Sequence, residues 1–130
     1  MSESTQLLDQ YLIFKESEVF ATLDEESLLA FLQLGRTIKY SGYSLILKEG
    51  TDMRYVFAFL EGAPQTVESS RRGPAFWGLK ALVTPCTNPT DLISPPEGTL
   101  ALVFPMSRLI AFLNEAPDVL IGLLKQTTWT

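Results

Sequence analysis

At 130 residues the chain has the length of one domain of about 100–150 residues, which excludes two independent cores. Apolar residues make up 46% and charged residues 19%, a globular composition that excludes disorder and supports a core without staples or metals. Lys and Arg number 10 against 15 Asp and Glu, a net charge of −5 whose field repels phosphate backbones and anionic lipid. There is no histidine, and Cys86 is the single cysteine. The commonest general base, the commonest metal ligand and any internal disulfide are therefore removed.

The first residues, Met1-Ser2-Glu3-Ser4-Thr5-Gln6, carry no basic stretch, and Asp9, Gln10, Lys15 and Glu16 break the apolar residues that follow, so no signal peptide is expected. No run approaches the roughly 18 apolar residues that span a bilayer. The expectation is a cytoplasmic protein without membrane contact, with Cys86 as a free thiol. Leu7, Leu8, Tyr11 and Leu12 predict a lead-in helix over residues 3–13, so that residues 1–15 precede a single domain over 16–130. A second helix is expected at 24–34. Thr22 and Glu25 have capping-box spacing, Leu28, Phe31 and Leu32 form the stripe, and Gly35 suits a left-handed end.

The next 70 or so residues place turn-forming residues every eight to twelve positions, the rhythm of an all-β segment. Strands are expected at Arg36–Tyr40, Ser44–Lys48, Val56–Leu60, Pro64–Ser69, Thr90–Ile93 and Thr99–Phe104. In the last, Leu100, Leu102 and Phe104 share one face while Ala101 and Val103 share the other, so both faces are covered and the β structure is closed or two-layered. Leu79, Leu82 and Val83 predict one helical turn inside the β segment. Beyond Pro105, Leu109, Ile110, Phe112 and Leu113 form a helical stripe that stops before Pro117. Pro117 and Asp118 then suit the first turn of a final helix bearing Val119, Leu120, Leu123 and Leu124.

Glu49-Gly50-Thr51 followed by Phe57, Leu60, Glu61 and Gly62 resembles the Glu-Gly-Asp turn, aromatic strand and closing glycine of cyclic nucleotide-binding domains, as in catabolite-activator-like regulators. Phe76, Gly78, Ala81 and Leu82 resemble that family's Phe-Phe-Gly-Glu-x-Ala-Leu phosphate-binding cassette, with Trp77 in place of the second Phe. The resemblance runs over residues 16–126. It implies a mainly β fold with flanking helices, a double-stranded, jelly-roll-like β-roll, and a ligand site at Gly78, Leu79, Lys80, Ala81, Asn88, Pro89 and Thr90.

The departures matter as much. Leu79 stands where the family has a Glu that holds the ribose hydroxyl, and Asn88 stands where an Arg pairs with the cyclic phosphate. A neutral hydrogen bond from Asn88 and the N–H groups opening the short helix would remain. Charged hydrogen bonds contribute about 1.5–3 kcal/mol each, so losing both would weaken binding by roughly 10²–10⁴-fold. The family's glycine before the second strand falls at Tyr43, with Gly42 one place early. Rescue of anion binding would fall to Lys80, which points about 100° away from the Leu79 direction, or to Arg71-Arg72, whose position before Gly73-Pro74 reads first as a solvated loop end.

Other chemistry finds little support. Gly73 to Gly78 with Leu79-Lys80 misses a P-loop by one residue and lacks the hydroxyl. Cys86 has no activating base. Asp24, Glu25 and Glu26 are explained by the dipole of a helix start, and a cupin-type metal site lacks its histidines. Trp77, Trp129, Phe57, Phe59, Phe76 and Phe104 either line a small-molecule pocket or pack the core. The chain has five residues after Lys125, so no helix-turn-helix and no direct nucleic-acid contact are expected. The reading is a non-catalytic regulatory or interaction domain, without metal or cofactor, that has lost cyclic nucleotide binding. It would meet a protein partner or a second copy through its last helix. The alternative is a sensor that accepts a different, less charged effector in the roll.

Overall fold

A computed structural model describes residues 3–21, 23–67 and 73–125. Three helices, α1 (Glu3–Lys15), α2 (Glu18–Ala21) and α3 (Glu25–Leu32), lead into strands β1 (Arg36–Tyr40), β2 (Leu45–Leu47), β3 (Tyr55–Glu61) and β4 (Ala75–Trp77). A 3-10 turn over Leu79–Leu82 precedes β5 (Leu92–Ile93) and β6 (Thr99–Pro105), and α4 (Met106–Glu115) and α5 (Pro117–Leu124) follow. The strands form an antiparallel sheet in the order β1-β6-β3-β4 and a two-stranded sheet of β2 and β5.

Period-two alternation divides the molecule into two apolar layers. Val56, Ala58, Phe76, Leu102 and Phe104 project from the large sheet toward the helices, where they meet Phe14, Phe20, Leu28 and Phe31. Phe31 stacks on Phe104 with ring centroids 4.7 Å apart. The intervening residues Phe57, Phe59, Ala75, Trp77, Ala101 and Val103 project to the opposite face and pack with Leu92 of the small sheet. β6 is thus covered on both faces, as its sequence implies.

The helices depart in detail from the sequence expectations. α1 buries Gln10 and Phe14 and half-buries Leu7 and Tyr11, whereas Leu8 and Leu12 are 56% and 53% exposed. The stripe therefore runs i, i+3, i+4, i+7. Gln10 can join it because its Nε2 donates to the Thr37 hydroxyl at 2.7 Å. Asp24, rather than Thr22, caps α3, accepting from the Ser27 N–H at 2.7 Å; Thr22 lies outside the described residues. The hydrogen bonds from Ser27, aided by Lys15, hold the exposed Asp24 carboxyl below its ordinary pKa. Gly35 is not left-handed. A Cβ there would stand 2.7 Å from Leu102 Cγ, so the glycine serves close packing of the helix end on β6. In the C-terminal pair, Leu109, Leu113, Val119 and Leu123 are buried, and Ile110, Ile121 and Leu124 remain exposed.

The structure has no strand at Pro64–Val67, where sequence pattern expects one. Pro64–Val67 forms a turn closed by the Val67 N–H on the Pro64 carbonyl at 3.0 Å, and residues 68–69 lie outside the described residues. The strand paired with β3 is Ala75–Trp77. It fills both layers at once, whereas the Pro64 segment lacks a donor at its first position and brings only Val67 into the inner layer.

Tyr43 adopts φ 58°, the left-handed conformation at the place where the resemblance puts a glycine. Its side chain is 73% exposed, and its N–H donates to the Ser94 carbonyl at 3.2 Å. Left-handed backbone costs a non-glycine residue about 1–2 kcal/mol, offset only in part by the extra unfolded-state entropy of glycine, about 0.5–1 kcal/mol. Tyr43→Gly should therefore raise the stability measured by urea unfolding by roughly 0.5–1 kcal/mol, whereas Tyr43→Ala, which keeps the Cβ, should not.

Candidate functional site

The segment from Trp77 to Thr90 holds the residues singled out by sequence. Gly78 has φ 98° and opens the 3-10 turn. A Cβ on it would lie 2.7 Å from Met53 Cε and 2.9 Å from the Tyr55 carbonyl oxygen. Only glycine both takes this conformation and lets the turn lie so close to β3. Leu79 follows at 0% exposure, and its side chain joins the helix-side layer with Phe76 and Leu109. The position to which the resemblance assigns a carboxylate thus holds an aliphatic group in the main core.

Lys80 is exposed, as its helical offset from Leu79 implies, and Ala81 and Leu82 are half-buried. Pro89 is exposed and Thr90 half-buried. Arg71 and Arg72 lie outside the described residues. Cys86 is a half-buried free thiol whose carbonyl accepts from the Met53 N–H at 3.0 Å.

Asn88 organises this segment. It is 1% exposed, and its amide is bonded on both sides. Trp77 Nε1–H donates to its Oδ1 at 3.0 Å. Its Nδ2 donates to the Thr90 carbonyl at 2.6 Å and the Lys48 carbonyl at 3.1 Å, with the Leu47 carbonyl at 3.4 Å. Its main chain is paired as well: its N–H donates to the Thr51 carbonyl and its carbonyl accepts from the Gly50 N–H, both at 2.8 Å. A buried amide in such surroundings must satisfy its donors and acceptor internally. Both Nδ2 protons have carbonyl partners within the chain, so neither is aimed at a ligand.

Trp77 is the residue that sequence reasoning left between pocket and core. At 3% exposure it lies in the inner layer, in a row with Phe57 and Val103 across three strands. The Phe57 and Phe59 rings stack beside it at 5.9 Å. The only sequence signal for the pair was general: a buried indole N–H wants an acceptor, and nothing in an eleven-residue separation names Asn88 as that acceptor. Bordering this layer at Phe57, Leu47 and Met53, a groove of about 340 Å³ is lined also by Thr51, Asp52, Arg54 and Tyr55. Among the described residues, no three or more His, Cys, Asp or Glu side chains converge as they would around a metal ion, and no helix is long and apolar enough to cross a membrane.

No family model matches the chain, and no curated protein is similar to it by sequence. Solved structures are similar in fold. The N-terminal domain of a transcriptional regulator from Streptomyces coelicolor superposes with a TM-score of 0.65 at 19% identity, over 87% of this chain and 85% of that one. The Thermus thermophilus Catabolite Activator Protein gives 0.65 at 16% identity, over 83% of this chain and 55% of that one, so the chain spans about half of the activator. A protein from Geobacter metallireducens named for cyclic nucleotide binding gives 0.63 at 17% identity, over 95% and 94%. The chain thus has the β-roll fold of cyclic nucleotide-binding domains, with flanking helices, as the motif order implies.

Replacing Asn88 by Ala strands the Trp77 N–H and exposes no compensating group. Because an unsatisfied buried polar group costs about 1–3 kcal/mol, Asn88→Ala should lower urea-unfolding stability by at least that amount, where a surface Asn→Ala change would lower it by under about 0.5 kcal/mol.

Proposed function

We propose that this chain is a non-catalytic regulatory or interaction domain whose β-roll does not take up a cyclic nucleotide. The observation that carries the reading is the pairing of Trp77 with Asn88 inside the roll. The Asn88 amide is committed to the indole and to main-chain carbonyls at the place where the resemblance puts a phosphate-binding guanidinium, and Leu79 offers its place no polar group. A cyclic phosphate there would have to be desolvated without a cationic side chain from position 88. Gly78, Leu79, Lys80, Ala81, Asn88, Pro89 and Thr90 then constitute a retained framework without the ligand chemistry. The cytoplasm is the compartment proposed, and direct nucleic-acid recognition is assigned to no part of the chain.

A protein partner or a second copy is proposed to meet α5 along Ile121 and Leu124, which are 49% and 43% exposed while Val119 and Leu123 of the same helix are buried. The groove at Leu47–Phe57 favours a second reading, a sensor for a small, less charged effector. Mass spectrometry of the purified protein under native conditions would favour that reading if it found a co-purifying small molecule.

Calorimetric titration with cyclic AMP and cyclic GMP should give no binding in the low-micromolar range; saturable heat there would overturn the proposal. If a second copy is the α5 partner, light scattering at increasing concentration should show the mass rising from one chain to two, and Ile121→Glu should return it to one; a mass insensitive to Ile121→Glu would remove α5 from the contact.

A further inference from the structure

Trp77 and Asn88 connect parts of the chain that otherwise have little in common. Asn88 reaches the end of β2 through the Lys48 carbonyl, the Glu49-Gly50-Thr51 turn through its own main chain, and β4 through the indole of Trp77. The Met53 N–H on the Cys86 carbonyl, together with the Asn88 N–H on the Thr51 carbonyl, makes the antiparallel bridge that sets Asp52 opposite Thr87. Between these ties and Gly78, the residues Lys80, Val83, Thr84 and Pro85 are exposed, Val83 at 65%. The segment is therefore pinned at both ends and solvated in the middle. Of its two pins, Gly78 is steric and Asn88 is polar.

We infer that the Trp77–Asn88 pair is an internal latch: it holds residues 79–88 and the Glu49–Thr51 turn together in one position. This deepens the closed-roll reading and rests on it. The physical basis is that the indole N–H has Asn88 Oδ1 as its acceptor in a water-poor layer, so opening the segment leaves donor and acceptor unsatisfied together. Opening is thereby made all-or-none for the N–H groups of Gly50, Met53 and Asn88. A domain built this way presents the Lys80–Pro85 face constantly.

Amide hydrogen exchange under native conditions tests the latch. In the unaltered protein the N–H groups of Gly50, Met53 and Asn88, which are bonded across the latch, should exchange at a common opening free energy distinct from that of β3 and β6. Trp77→Phe keeps an aromatic ring in the layer but removes the N–H together with part of the ring volume, the second effect being the one Phe57→Leu controls for. It should speed exchange of these amides by about tenfold or more while β3 and β6 change by less than about twofold. Phe57→Leu, which disturbs the same layer without touching a hydrogen bond, should not produce that selectivity. Uniform acceleration in Trp77→Phe, the same selectivity in Phe57→Leu, or independent exchange of the three amides would each overturn the latch. The titration with cyclic nucleotide judges the closed roll separately: heat there would sink that reading whatever the exchange pattern, and uniform exchange would sink the latch while leaving a silent titration intact.

Discussion

Strand β6 is buried on both faces and hydrogen-bonded on both edges, to β1 and to β3. The alternation of the whole four-stranded sheet follows from it. Because Leu102 and Phe104 must face the helices, Ala101 and Val103 face the roll, and the register then sends Ala58 and Phe76 to the helices and Phe57 and Trp77 inward. A slip of one residue would exchange the two layers, placing the large Phe104 ring and the small Ala101 side chain on the wrong sides. The register is therefore strongly specified, and with it the inward orientation of Trp77.

Once the indole is inside, the identity of residue 88 is constrained. A guanidinium in that place, with no anion beside it, would be a buried charge whose desolvation costs several kcal/mol. A neutral amide can accept from the indole and donate to main-chain carbonyls, so the site is satisfied from within the chain. Leu79 follows the same economy, because a carboxylate there would sit among Phe76, Leu109 and their neighbours with no cation. Both residues keep a charge out of the buried layers, and the proposed loss of nucleotide binding rests on that property.

Sequence pattern served best where one residue type has one physical use. Pro117 and Asp118 opened α5, the stripe Leu28-Phe31-Leu32 faced the core, and the doubly apolar β6 stood between two layers. It served worst where a polar residue enters an apolar face. Gln10 took a core-facing place on α1 that pattern assigned elsewhere, because Thr37 on β1 supplies its partner. The fourth strand was placed at Pro64–Ser69 since strand-like residues occur there, yet Ala75–Trp77 is what β3 can pair with while filling both sides.

Composition and order along the chain determined a mainly β fold with flanking helices, without histidine, bearing a glycine at 78 and neutral residues at 79 and 88. Those are properties of residue type and periodicity, which survive without coordinates. Only the tertiary structure decided that Leu79 turns to the helices, that Tyr43 takes the left-handed turn in place of Gly42, and that Asn88 spends its amide on Trp77 and on carbonyls from β2 and Thr90. Such outcomes depend on which groups meet across dozens of residues, and a hydrogen bond between distant partners leaves no period in the sequence from which it can be read.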